Sequence, residues 1–256
     1  MDQYPILGKF QSGQPAINIF LKIPSPWTAE MLSHLDVDAI TLDLQHGMIG
    51  FETMVSMLQA MQKDKYPMVR LAWNDPAYIM QVLDAGVKGV ICPMINNKKE
   101  AEDFISYCYY SPIGKRSYGP TRANFPPRAT YLQDYHKDIL TFAQIETKEG
   151  LRNVEEIAST KNLSGLYLGP YDLSIDLGFE KVADFSDPRF MVHVKKVLSA
   201  AKKFNLLSAV QVYPEDDAAM LAKMGFSIIT PFDDSTMLVQ GVKDKLDRVS
   251  GKVLKC

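Results

Sequence analysis

Short apolar runs recur along the chain, and after most of them the pattern switches from strand-like to helical spacing. Residues 16–21, 38–42, 67–71, 89–94, 140–145, 165–168, 206–212 and 226–230 read as strands. Helical spacing follows each of them, over 29–35, 51–62, 77–84, 97–109, 150–159, 188–204, 215–224 and 234–249. Met54, Met57, Leu58 and Met61 fall on one stripe of the second helix and read as core. Start and stop signals agree with the pattern. Thr28 is placed to cap the first helix, Asn74 or Asp75 with Pro76 opens the third, and Gly86 and Gly225 end two others.

Continuous apolar strands, each followed by a helix, indicate a parallel sheet covered on its outer face. Strand starts mostly lie roughly 20 to 27 residues apart, enough for a strand, a crossover helix and two loops. Eight such units favour a closed α/β architecture, a (β/α)8 TIM barrel, formed by residues 1–256 as one domain. The missing G-x-G-x-x-G between a strand and a helix counts against a doubly wound dinucleotide fold. One stretch breaks the rhythm. Residues 111–135, with Arg116 and Arg122, read as a long irregular loop that either binds a distal carboxylate or packs on a neighbouring chain.

Composition narrows the function classes. The chain has 256 residues, is 46% hydrophobic and carries a formal charge of −2, so no basic field points to nucleic acid. No apolar run reaches the length of a bilayer span, and the first residues lack the basic-then-apolar pattern of a signal peptide. Three cysteines without ligand spacing suit a reducing, cytoplasmic setting, with Cys92 as a core residue. His34, His136 and His193 receive no role.

In a barrel the polar residues that end the strands converge on one mouth. Here they are Asp43, Gln45 and His46 after the second strand, Arg70 in the third, Gln144 and Glu146 from the fifth, and Asp172 after the sixth. Glu146 and Asp172 form an all-oxygen pair suited to a divalent ion such as Mg²⁺, Mn²⁺ or Co²⁺. Arg70 needs an anion, either a carboxylate or a developing oxyanion. The amides around Gly169, Tyr171 and Asp172 are placed to donate to a carboxylate, which Pro170 cannot do.

With these residues in place, the chain resembles the HpcH/HpaI family of metal-dependent pyruvate aldolases. The resemblance spans nearly the whole sequence and rests on five motifs in order. They are Asp43-Leu44-Gln45-His46-Gly47, Val69-Arg70-Leu71-Ala72-Trp73-Asn74-Asp75, Pro112-Ile113-Gly114-Lys115-Arg116, Gln144-Ile145-Glu146-Thr147 and Gly169-Pro170-Tyr171-Asp172-Leu173-Ser174. It implies a barrel of the phosphoenolpyruvate/pyruvate-binding type that reversibly cleaves a 4-hydroxy-2-oxo acid to pyruvate and an aldehyde. Glu146 and Asp172 would hold the metal. Arg70 would neutralise the enolate oxygen, supported by Asp84. His46, oriented by Asp43, would take the proton of the 4-hydroxyl. Gln144 and the 169–172 segment would contact the oxo acid. The resemblance also implies a homo-oligomer, a hexamer or trimer of dimers, working in aromatic or sugar acid catabolism.

Two residues depart from the family pattern: Gln45 stands where studied members carry Glu, and Tyr171 is bulky where smaller residues are common. The rival readings are oxaloacetate decarboxylation or acyl-CoA-acid lysis through the same enolate, and a non-catalytic barrel that binds an oxo acid.

Overall fold

The computed structural model describes residues 4–213 and 217–253, and its centre is a closed ring of eight parallel strands in chain order. They are β1 (Ala16–Leu21), β2 (Ala39–Asp43), β3 (Tyr66–Arg70), β4 (Gly89–Cys92), β5 (Leu140–Ile145), β6 (Gly165–Leu168), β7 (Leu207–Gln211) and β8 (Ile228–Thr230). β8 closes on β1 through Ala16 beside Ile228 and Ile17 beside Ile229. The expected barrel is therefore present, with strand ends shifted by a residue or two at most of the elements.

Alternation along the strands separates two apolar cores. Ala16, Phe20, Ala39, Met68, Ile91, Phe142, Tyr167, Ala209 and Ile228 point inward and fill the barrel. The intervening residues, such as Ile40, Leu42, Val69, Val90 and Val210, face the helical layer. This is the two-residue period of a strand read on a closed sheet. A belt of polar groups crosses the barrel interior: Thr41 donates to Asn18 at 2.9 Å, while Asn18 and Tyr167 donate to Thr230 at 3.0 and 2.9 Å. Every member has a partner, so burial here is not costly.

The helices after the strands are α2 (Pro26–Ser33), α3 (Phe51–Ala60), α4 (Pro76–Asp84), α5 (Lys98–Cys108), α7 (Lys148–Arg152), α8 (Val154–Ala158), α9 (Pro170–Leu177), α10 (Pro188–Lys203), α11 (Ala218–Met224) and α12 (Asp234–Val253). Asp75 caps α4 by accepting from the Tyr78 amide, and Asp187 caps α10. α2 starts earlier than expected. Ser25, not Thr28, is its cap, accepting from the Thr28 amide with Pro26 in the first turn. The helix expected over 150–159 is two short helices that meet at Asn153. Residue 215, where α11 was expected to begin, lies outside the described residues.

Three helices were not anticipated, α9 after β6 and two others. α1 (Pro5–Ser12) precedes the first strand and seals the bottom of the barrel, with Ile6 buried and Tyr4 edge-on to Tyr66 at 5.1 Å. α6 (Tyr131–Asp138) lies at the end of the stretch read as irregular. Cys92 and Cys108 are free and buried, as core residues. Among the described residues no helix is long and apolar enough to cross a membrane.

Candidate active site

Four strand ends carry the candidate groups to the top of the barrel. The centre is an ion pair. Arg70, the last residue of β3, donates from Nε to Asp43 Oδ1 at 2.9 Å and from Nη2 to Oδ2 at 2.6 Å. Register explains the meeting, because Asp43 and Arg70 are opposite partners on β2 and β3 and both face inward. Both are buried, and the guanidinium carbon stands 4.8 Å from the Phe20 ring centroid. A two-point fork fixes the plane of the guanidinium. Nη1 has no hydrogen bond among the described residues and remains available to an oxyanion.

Asp43 also shapes the loop that follows it. Its Oδ1 accepts from the amides of Gln45 and His46 at 3.1 and 3.3 Å. The turn closes with the Gly47 amide on the Asp43 carbonyl at 3.2 Å. A Cβ at position 47 would stand 2.2 Å from that carbonyl oxygen, so the motif requires glycine there. His46 is exposed at the mouth. Asp43 thus orients His46 through the main chain. Among the described residues Asp43 makes no hydrogen bond to the imidazole itself, and Arg70 occupies both of its carboxylate oxygens. The buried side-chain oxygen of Gln45 has no hydrogen-bond partner among the described residues.

Glu146 follows β5 and is 1% exposed. Its Oε1 accepts from the Met94 amide at 2.7 Å, and its Oε2 accepts from Gln144 Nε2. Burial pushes its pKa up to about 7; these two hydrogen bonds and Arg70 oppose the rise, and the nearby Asp172 carboxylate adds to it. Asp172 sits exposed in the first turn of α9, so the expected turn over 169–172 is the start of a helix with Gly169 at its cap. Gly169 touches the carboxylate directly: a Cβ there would lie 2.7 Å from Glu146 Oε2 and 3.0 Å from Gln144 Nε2.

These groups fit a divalent cation. Two carboxylates share one mouth, burial and then the neighbouring Asp172 charge raise the buried one, and the buried Gln144 Oε1 has no partner among the described residues. Among the described residues no cluster of three or more acidic, histidine or cysteine side chains forms a metal cage. The remaining ligands would be oxygen atoms of substrate and water.

Asp84 is not part of this mouth. It ends α4, on the side of the barrel where strands begin, and its carboxylate holds Arg116. Arg70 is supported by Asp43 instead. Arg116 and Arg122 are likewise engaged within the chain. Arg116 binds Asp84 and Tyr135, and Arg122 donates to the Ala85 and Leu58 carbonyls at 2.7 and 3.3 Å. They lie after α5, at the far end from the mouth, so the distal carboxylate reading fails within one chain. Sequence reasoning passed over another group at the mouth: Lys22, Gln211, Tyr213 and Asp233, contributed by β1, β7 and β8. Their positions just at or after strand ends were the available signal.

Comparison with known proteins agrees with this geometry. The model of a family described as HpcH/HpaI aldolase/citrate lyase matches residues 16–238. A hydroxypyruvate/pyruvate aldolase of Rhizorhabdus wittichii is 35% identical, over 90% of this chain and 92% of its own. A 4-hydroxy-2-oxo-heptane-1,7-dioate aldolase of Escherichia coli is 27% identical, over 91% and 90%. The crystal structure of an aldolase/citrate lyase family protein from Burkholderia cenocepacia superposes with a TM-score of 0.85 at 25% identity, covering 93% of this chain and 95% of the other.

Proposed function

Because the chain belongs to the HpcH/HpaI aldolase/citrate lyase family, we propose that it is a class II pyruvate aldolase. It cleaves a 4-hydroxy-2-oxo acid to pyruvate and an aldehyde, and runs in reverse. The observation that carries this reading is the buried Asp43–Arg70 fork at the same mouth as the buried, high-pKa Glu146.

Glu146 and Asp172 would hold a divalent cation, Mg²⁺, Mn²⁺ or Co²⁺, which when bound supplies Lewis acidity at the substrate's keto group. The residues of the chain do the rest. His46 takes the proton of the 4-hydroxyl. The C3–C4 bond breaks, the aldehyde leaves, and its electron pair becomes the enolate of pyruvate. Arg70 faces the enolate oxygen with Nη1, held in plane by Asp43, so no reorganisation is needed as charge develops. A proton returned to C3 completes pyruvate. Gln144 and the segment Gly169, Pro170 and Tyr171 wall the oxo-acid side.

The test is pyruvate release from a panel of 4-hydroxy-2-oxo acids, with chelator and with each of the three ions. Release that depends on added metal supports the reading; no release under any condition overturns it.

A homo-oligomer belongs to the same proposal. α12 carries Met237, Leu238, Val239, Val242, Leu246 and Val249, each 52–69% exposed, and α2 exposes Trp27 and Met31, with Leu35 exposed just after its end. A helix with an uncovered apolar stripe is stabilised by packing on another surface. A second copy of the chain supplies it. Sedimentation of the whole protein as a monomer at micromolar concentration would reject this part.

A further inference from the structure

The mouth has two halves, and the aldolase reading uses one. Arg70, Glu146 and Asp172 come from the side of β3, β5 and β6. The opposite side, from β7 through β8 to β1, carries a connected polar cluster. Lys22 follows β1, and its ammonium lies 3.0 Å from Asp233 Oδ2. Tyr213 follows β7 and donates to the same oxygen at 3.1 Å. Gln211, the inward-facing last residue of β7, donates to the Tyr213 hydroxyl at 3.1 Å.

Asp233 is 1% exposed and fully engaged. Besides Lys22 and Tyr213 it accepts from Ser235, the Thr236 amide and the Thr236 hydroxyl, at 2.6, 2.9 and 2.9 Å. It therefore acts as an anchor. Lys22, with a quarter of its side chain exposed, keeps two N–H donors beyond this pair.

The cluster joins both ends of the proposed site. On one side the Lys22 carbonyl accepts from the Met48 amide at 3.1 Å, which ties Lys22 to the His46–Gly47 turn. On the other, the Tyr213 ring lies 6.0 Å from the Tyr171 ring, beside Asp172. A substrate whose oxo-acid end faces Glu146 and Asp172, and whose 4-hydroxyl faces His46, has its remaining carbons on the β1–β8–β7 side.

We propose that Lys22, Tyr213 and Gln211 form the subsite for the aldehyde half of the substrate, and that they select an uncharged, hydroxylated aldehyde. This rests on the aldolase reading of the same mouth. A hydroxyl accepts from Lys22, whose ammonium keeps two N–H donors beyond Asp233, and donates to the Tyr213 oxygen or the Gln211 side-chain carbonyl. An alkyl tail would leave those donors unpaired. A carboxylate would approach Lys22 beside the fixed charge of Asp233, which already neutralises the ammonium.

The experiment is condensation of pyruvate, with Mg²⁺, onto glycolaldehyde or propionaldehyde, which have the same number of heavy atoms. In each case enolate C3 adds to the carbonyl carbon and the carbonyl oxygen takes a proton, with no atom lost. The ratio of the two kcat/KM values is the readout. It favours glycolaldehyde by about tenfold or more in the natural protein. Lys22→Met and Tyr213→Phe, each with its melting temperature measured, bring the ratio below about threefold. An unchanged ratio in both folded variants overturns the subsite, and so does better use of glyoxylate than of glycolaldehyde. Deuterium exchange at the pyruvate methyl group separates the two proposals. Exchange together with condensation that shows no preference for glycolaldehyde overturns the subsite alone; no exchange overturns the enolate chemistry and the subsite with it.

Discussion

Two buried arginines occupy opposite ends of this barrel in nearly the same surroundings. Arg70, at the mouth, is gripped by Asp43 and stands over the Phe20 ring. Arg116, at the base, is gripped by Asp84 and lies beside the adjoining rings of Tyr110 and Tyr135, at 4.6 and 4.8 Å from their centroids. Local chemistry does not separate them, since each is a desolvated cation with one carboxylate and aromatic faces. What separates them is which groups remain open nearby. Around Arg70 stand a raised carboxylate, an exposed carboxylate and an exposed imidazole. Around Arg116 stand tyrosines and the carbonyl of Cys108, which accepts from Tyr135. A charge pair becomes a site only where other reactive groups share its opening, and in this fold that is the end where the strands stop.

The largest expected effects test that contrast directly. Arg70→Met should lower kcat/KM for aldol cleavage by about 10³-fold, since a preorganised donor to the enolate is lost. Arg116→Met should lower stability by about 3 kcal/mol, because Asp84 and two rings lose a buried partner, while the folded fraction keeps its activity within about threefold. Urea unfolding and steady-state kinetics on both variants check this. Equal losses of activity would erase the distinction between the two ends.

Glu146→Gln comes next. It should remove metal-supported activity by about 10²-fold or more. It should also change the pH dependence of the metal-free protein. Glu146 has a folded pKa near 7, above its value of 4.5 in the open chain. Between those values the unfolded chain has released a proton that the folded protein keeps, so stability falls as pH rises. The penalty grows from about pH 4.5 and is complete above about pH 7, at about 3 kcal/mol. The glutamine variant should lack that slope in urea titrations with chelator at pH 5 and pH 8; the same slope in both proteins would show that another group causes it.

His46→Ala should reduce aldol cleavage by about 10²-fold, the usual worth of a positioned base, yet leave oxaloacetate decarboxylation within about threefold. Decarboxylation reaches the same enolate without deprotonating a hydroxyl. Parallel loss of both activities would instead assign His46 to substrate binding.

The strands and most helices were legible because each has its own periodicity and punctuation. The mouth was legible in part because a strand's last inward residue must face it, which singles out Asp43, Arg70, Gln144 and Glu146. Contacts that depend on three-dimensional competition were not. Asp43 reads as a partner for the His46 side chain, whereas in the fold it accepts from the His46 amide while Arg70, opposite in register, binds both of its oxygens. Asp84 reads as support for Arg70 until α4 carries it to the other end of the barrel. α1 lacks a preceding strand and so fell outside the repeat. Lys22 and Tyr213 each look like solvated loop residues, and only barrel closure brings them to the shared anchor at Asp233.

The smallest effect contrasts the two glycines that bound α9. Gly178 ends the helix at φ 83° with nothing within 4 Å of an added Cβ. Gly178→Ala should cost about 1 kcal/mol from backbone strain and leave the metal response unchanged. Gly169 begins the helix at φ −95°, where any residue is tolerated, so an alanine there meets only a steric limit. That limit is the Glu146 carboxylate, which the Met94 amide and Gln144 hold in place. To admit a methyl group, both the carboxylate and the Glu146 Cβ, which would stand 2.7 and 2.8 Å from it, must move. Gly169→Ala should therefore weaken half-maximal activation by Mg²⁺ about tenfold, the low end of what loss of a metal ligand's supporting contacts costs. Titrating Mg²⁺ against pyruvate release in both variants ranks them, and an equal shift in both would mean that the close approach of Gly169 to Glu146 has no part in holding the ion.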